Sequence, residues 1–232
     1  SWSPNDTKIL FTNTAANGVE LWVIDVASAQ AKKLTEANLN ANLGAPFSWF
    51  GDNETILVKL LPSNRKPLLD SKKDLPAGPI ISNASGAKSQ NRTYPDMLKN
   101  KNDEINFENI ITSELYKITL SGNKTLFKSA DMFAGQSLSP DGNYIMITTI
   151  QKPFSYIVPL NRFPMKSVVY DKSGREVKIV NETPLTEIMP KGFMAVQKGK
   201  RSLMWRNDKP ATLAFVQALD EGDPANKVAF RD

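Results

Sequence analysis

Few side chains in this sequence are suited to chemistry, and the clearest are arginines set among aromatics. In "QKPFSYIVPLNRFP" (residues 151–164), Phe154, Tyr156, Arg162 and Phe163 crowd a segment bounded by proline. A guanidinium is a planar fork of donors that fits a carboxylate with two parallel hydrogen bonds. Arg162 is therefore a candidate anion binder with Tyr156 beside it, or else a solvated residue on a flap whose aromatics bury themselves. Arg201 and Arg206 flank Trp205 in the same aromatic-plus-cation style, and as inner-strand charges they could equally line a wet channel. Asp103, Glu104 and Glu108 sit at helical spacing, which is most simply an N-terminal cap and an exposed face.

What is missing narrows the chemistry further. The sequence has no His and no Cys. A Ser-His-Asp or Cys-His nucleophilic apparatus cannot be assembled from it, and zinc loses its usual ligands. Without cysteine there are no disulfides, which is compatible with an oxidising compartment. The oxygen pattern is too sparse for a calcium loop, so no metal or cofactor is implied. Six Asn-x-Ser/Thr triplets, at Asn5, Asn53, Asn83, Asn91, Asn123 and Asn181, lie mostly in polar stretches where turns favour those residues anyway.

Net charge is +5, from 29 Lys and Arg against 24 Asp and Glu, and the basic residues are scattered. The densest group, Lys198 to Arg206, is interrupted by Gly199, Leu203, Met204 and Trp205, as a strand would be and a nucleic-acid patch would not. No apolar run approaches the ~20 residues that span a bilayer, so neither nucleic acid nor membrane is an expected partner. The opening residues read at once as a strand and its turn, without a basic and apolar leader, as in an excised piece of a longer protein.

The elements that must position these residues repeat. "SWSPNDTKILF" (1–11), "SWFGDNETILV" (48–58), "SLSPDGNYIMI" (137–147) and "MWRNDKPATLAF" (204–215) each give a short apolar strand, a tight polar turn and a second strand. After three of them comes a second hairpin: "ELWVIDVASAQAKKLT" (20–35), "ELYKITLSGNKTLFKS" (114–129) and the looser "SVVYDKSGREVKIV" (167–180). Two hairpins make a four-stranded unit of ~40 to 45 residues, the period of a propeller blade. An ordinary β-sandwich would not be expected to keep two unlike hairpins in the same order three times.

The expected fold is all-β: a β-propeller fragment of about four blades of four antiparallel strands, with a partly helical insertion. Blades are expected at 1–36, 46–129, 135–183 and 201–232, the last incomplete, with insertions at 62–109 and 151–166. Both insertions fall between the second and third strands of their blades and should emerge on one face. In the first, Thr93, Pro95 and Asp96 suggest a helix start, and Asp103 to Ile111 a short helix.

The Ser-x-Ser-Pro-Asp-Gly turn, with Glu-Leu-x-x-x-Asp and Lys-Lys-Leu-Thr, resembles the WD40-like repeats of TolB-type propellers and of S9 (prolyl oligopeptidase) serine peptidases. The long insert and the "ALDEGDP" tail resemble more closely the propeller of a bacterial dipeptidyl aminopeptidase or glutamyl endopeptidase. That resemblance implies a secreted or periplasmic parent enzyme. In it, this portion gates peptide access to an α/β-hydrolase domain that the chain lacks, having no Gly-x-Ser-x-Gly elbow. On the functional reading of the arginine loop, Arg162 faces the peptidase cleft and holds a substrate carboxylate, with Tyr156, Arg201 and Arg206 as further candidate substrate contacts. The alternative is a non-enzymatic, TolB-like interaction propeller. An arc cut from a ring would leave two blade faces open, with Ile9, Phe11, Leu21 and Val23 at one end and Leu203, Trp205, Leu213 and Phe215 at the other, so self-association through those faces, or curling toward a strained small ring, is expected.

Overall fold

The turns explain the repeat. In the computed structural model, which describes residues 1–70, 94, 95 and 97–231, Ser3 Oγ donates to Asn5 Oδ1 (2.8 Å) and accepts from the Lys8 amide (3.0 Å). Ser139 Oγ does the same between Asp141 Oδ1 (2.5 Å) and the Tyr144 amide (3.0 Å). Asp52 takes the acceptor position in the second copy, receiving the amides of Glu54 and Thr55 at 3.0 and 2.8 Å. The next residue is left-handed in all three copies: Asp6 (φ 56°), Asn53 (φ 60°) and Gly142 (φ 66°). Only Gly, Asn and Asp visit that region at small cost, which accounts for the turn composition.

Each turn launches an antiparallel meander. The first sheet is β1 (Lys8–Ala15), β2 (Gly18–Asp25) and β3 (Gln30–Lys33), with a Trp2–Ile9 bridge in place of a first strand. The second is β4 (Phe47–Trp49), β5 (Thr55–Leu60), β6 (Ser113–Thr119) and β7 (Lys124–Asp131). The third is β8 (Phe133–Leu138), β9 (Tyr144–Ile150), β10 (Met165–Asp171) and β11 (Glu176–Thr183), and the fourth is the pair β12 (Lys200–Trp205) and β13 (Leu213–Gln217). Four consecutive sheets whose described strands pair only within their own sheet and in sequence order are the plan of a propeller fragment.

Sheets stack through their faces. Leu10, Leu21 and Val23 of the first sheet meet Ile56, Val58 and Leu60 of β5. Leu57 and Leu115 face the other way, onto Phe133, Ile145 and Ile147 of the third sheet. Strand alternation thus gives β5 two cores, and after Thr55 it is apolar on both sides except for Lys59. The same alternation corrects one expectation. Leu21 (0 % exposed) and Val23 lie on the covered face of the first sheet, and the open face carries Phe11 and Trp22, stacked at 6.5 Å. At the far end Trp205 is half-buried and its indole N–H donates to the Ser137 carbonyl (3.2 Å), while Phe215 is 47 % exposed.

The first insertion contributes α1 (Lys101–Ile111), which starts two residues before the expected Asp103 because Asn100 caps it, its side chain accepting from the Asp103 amide. Of the earlier helix signature, Thr93 and Asp96 lie outside the described residues, and residues 97–99 are not helical.

Candidate functional site

The two insertions meet. Phe107 of α1 stands edge-on to Phe154 and Phe163 of residues 151–164, at 5.1 and 5.9 Å, and those two rings stack on each other at 5.5 Å. Met132, Ile150 and Val158 close the cluster beneath them. Edge-to-face and offset aromatic pairs add to their area burial, so this trio is the mechanical centre of a cap over one end of the middle sheets.

Polar contacts stitch its rim. Lys152 Nζ pairs with Glu108 at 2.7 Å, and the Tyr156 hydroxyl donates to Glu104 Oε2 at 2.8 Å. Lys101 also bonds Glu104, and the two donors hold its carboxyl below the usual range, the Lys101 bond contributing most. The same Glu104 bond is the main cause of the raised Tyr156 phenol. Buried Ser155 donates to Glu187 (2.7 Å), and the Thr186 amide donates to the Arg162 carbonyl (3.0 Å), tying in the segment that follows β11.

α1 is anchored from below by a residue the sequence does not advertise. Asn40, 2 % exposed in the connector between the first two sheets, donates from Nδ2 to the carbonyls of Ile110 (3.0 Å) and Thr112 (3.1 Å). It satisfies acceptors that a helix end leaves unpaired. Its partners lie some seventy positions away in the chain, so no local pattern could reveal it. Lys59 was missed for a similar reason. It is buried in β5, its ammonium donates to the Leu43 carbonyl, and burial pushes its amine down to about 8.

The four arginine and tyrosine candidates do not form one cluster of equivalent groups. Arg162 ends a 3₁₀ turn (Leu160–Arg162), is half-buried, and holds its guanidinium 5.4 Å from the Tyr94 ring centre. Among the described residues no carboxylate is paired with it. Tyr156 lies in the same segment with its hydroxyl already engaged by Glu104. Arg201 is half-buried on β12 in another sheet. Arg206, just past that strand, is exposed and gripped by Asp208 through two bonds of 2.9 and 2.5 Å. Arg162 thus combines a planar donor fork with a half-buried position in which no carboxylate among the described residues is paired with it.

No described helix is long and apolar enough to cross a membrane, and no cluster of metal-ligating side chains occurs among the described residues. No protein-family profile matches the chain. In sequence it is 34% identical over its whole length to a probable glutamyl endopeptidase, chloroplastic, of Oryza sativa subsp. japonica, and 33% identical to the protein of the same name from Arabidopsis thaliana. It covers 26% and 25% of those proteins, about a quarter of their length. Among solved structures it is similar to the acylaminoacyl peptidase of Pyrococcus horikoshii, with 16% identity and a TM-score of 0.45 over 78% of this chain and 24% of that one. The consecutive antiparallel meanders have the plan of a β-propeller fragment, and along its whole length the sequence is similar to probable glutamyl endopeptidases.

Proposed function

We propose that the chain is the propeller portion of a glutamyl endopeptidase-like serine peptidase, and that it gates peptide access to an α/β-hydrolase domain carried elsewhere in the parent protein. The observation that carries this is the unbroken relationship of 100% of the chain to proteins of which it makes up about a quarter. The absence of His supports the division of labour, because the histidine of a serine-peptidase triad must then come from another part of the parent. The cap supplies the gate: two insertions locked by three phenylalanines over one end of the sheets. A chain without cysteine also suits a periplasmic or secreted parent, since it offers no thiol to oxidation. Fractionation of cells expressing the parent tests that part.

The gate is tested in the full-length parent by Phe107→Ala together with Phe154→Ala. Loosening the cap should raise turnover of an unfolded protein relative to a short glutamyl peptide by about tenfold, the two rates no longer being filtered by size. An unchanged ratio in a variant whose cap amides demonstrably exchange faster would overturn the gating role.

A glutamyl substrate presents a carboxylate, and Arg162 is the candidate to receive it. Arg162→Ala in the parent should raise KM for glutamyl peptides, with a loss of ~1.5 to 3 kcal/mol, and leave neutral peptides alone. Arg206→Ala should do little, its guanidinium being occupied by Asp208. Equal effects on acidic and neutral substrates would return Arg162 to a packing role.

A further inference from the structure

Residues 65–69, "RKPLL", run along one face of α1 and are held there mostly through their main-chain atoms. Asn106 Oδ1 accepts the Leu69 amide at 2.8 Å, and its Nδ2 donates to the Leu69 carbonyl at 2.9 Å. Asn109 Nδ2 donates to the Lys66 carbonyl at 2.5 Å, and Arg65 Nε donates to the Asn109 carbonyl at 3.2 Å. Asn106 and Asn109 are three apart on the helix and so share a face. A carboxamide that takes both the N–H and the C=O of one residue reads extended backbone without regard to side chain, as strand-adding peptide sites do.

The strap's leucines do little to hold it. Leu68 is 52 % and Leu69 39 % exposed, so the apolar groups that could anchor it face water. Between strap and helix there remains a groove of about 510 Å³, bordered on the helix side by Ile105, Glu108, Asn109 and Thr112. Charge adds a preference. Glu108 borders the groove and is shared with Lys152, Asp103 and Glu104 lie on the same helix, and the segment laid on it begins with Arg65 and Lys66.

We propose that this face of α1 is a binding site for extended basic peptides, read through their main chain by Asn106 and Asn109, and that residues 65–69 are its built-in, displaceable occupant. The site differs from the carboxylate site assigned to Arg162 in both place and charge preference. It stands on the helix geometry and does not depend on the peptidase assignment.

The test uses the whole chain and a fluorescein-labelled Arg-Lys-Pro-Leu-Leu amide followed by anisotropy. Replacing residues 65–69 with a Gly-Ser stretch of equal length should free the site and tighten peptide binding by about tenfold over the unaltered chain. Adding Asn106→Ala and Asn109→Ala to that variant should weaken binding by about tenfold or more, and a Glu-Glu-Pro-Leu-Leu amide should bind less well than the basic peptide. No binding by the folded strap-replaced chain, or binding indifferent to the two asparagines, would overturn the proposal. A second measurement covers misfolding of that variant. Excess basic peptide should accelerate hydrogen exchange at the Leu69 amide of the unaltered chain, and an unchanged rate there also overturns it.

Discussion

Lys59 is an isolated charge in the wall between two sheets, and its cost depends on pH. Its amine is pushed from 10.5 to about 8 by burial alone. The unfolded chain therefore binds a proton more readily than the folded one between those values, and stability must rise with pH across that window. Below pH 8 the whole penalty is present, on the order of 3 kcal/mol from the size of the shift. Thermal melts should show the midpoint climbing from pH 8 to 10, and Lys59→Met should remove the climb. A variant that keeps the climb would place its cause in another group. This residue also shows where sequence reading stops. "TILVKLL" reads as a strand with an outward lysine, and only the sheet packed against its second face turns that lysine inward. That Phe154 and Phe163 belong together was legible, because they lie in one short segment, whereas the ring beside Arg162 is Tyr94, from the other insertion. That Tyr156 would be drawn to Glu104, or Arg206 to Asp208, depended on helix and turn geometry that spacing alone does not fix.

At the level of elements, the turns were the most legible part. A Ser, an Asx acceptor and a left-handed third residue specify one hydrogen-bonded loop, and the chain writes it out repeatedly. The helix was legible in its body and misplaced at its start, since Asn100 sits in the polar run Lys99 to Asn102 where any residue looks like loop. The cap is a separable layer. It rests on the sheets through the cluster around Phe107, Ile150 and Phe163, and it contributes no strand to their ladders. Phe107→Ala should cost about 3 kcal/mol by cavity formation. Hydrogen exchange should quicken across α1 and residues 151–164, with the sheet amides left nearly unchanged. Uniform loosening of sheets and helix would show that the cap and sheets unfold as one unit.

Across the whole molecule, period and order of hairpins were legible and facing was not, because a strand's two sides are distinguished only by what packs on them. Leu21 and Phe11 are expected from sequence on the same open face, yet one is covered and the other is 38 % exposed. The open face with Phe11 and Trp22, and the exposed Phe215 on the last pair of strands, leave apolar surface at both ends. Sedimentation of the isolated chain should accordingly show concentration-dependent association, relieved by Phe11→Glu. A monomer at every concentration would count against it. The double-sided burial of β5 has a different consequence, for cooperativity. A strand that forms part of two cores passes the state of one sheet to the next, so stability accumulates by nearest neighbours, as in a linear array. Such an array melts from its ends. The outermost strands should open first and often, the middle should wait for them, and the amides of β5 should be among the last to exchange in the chain.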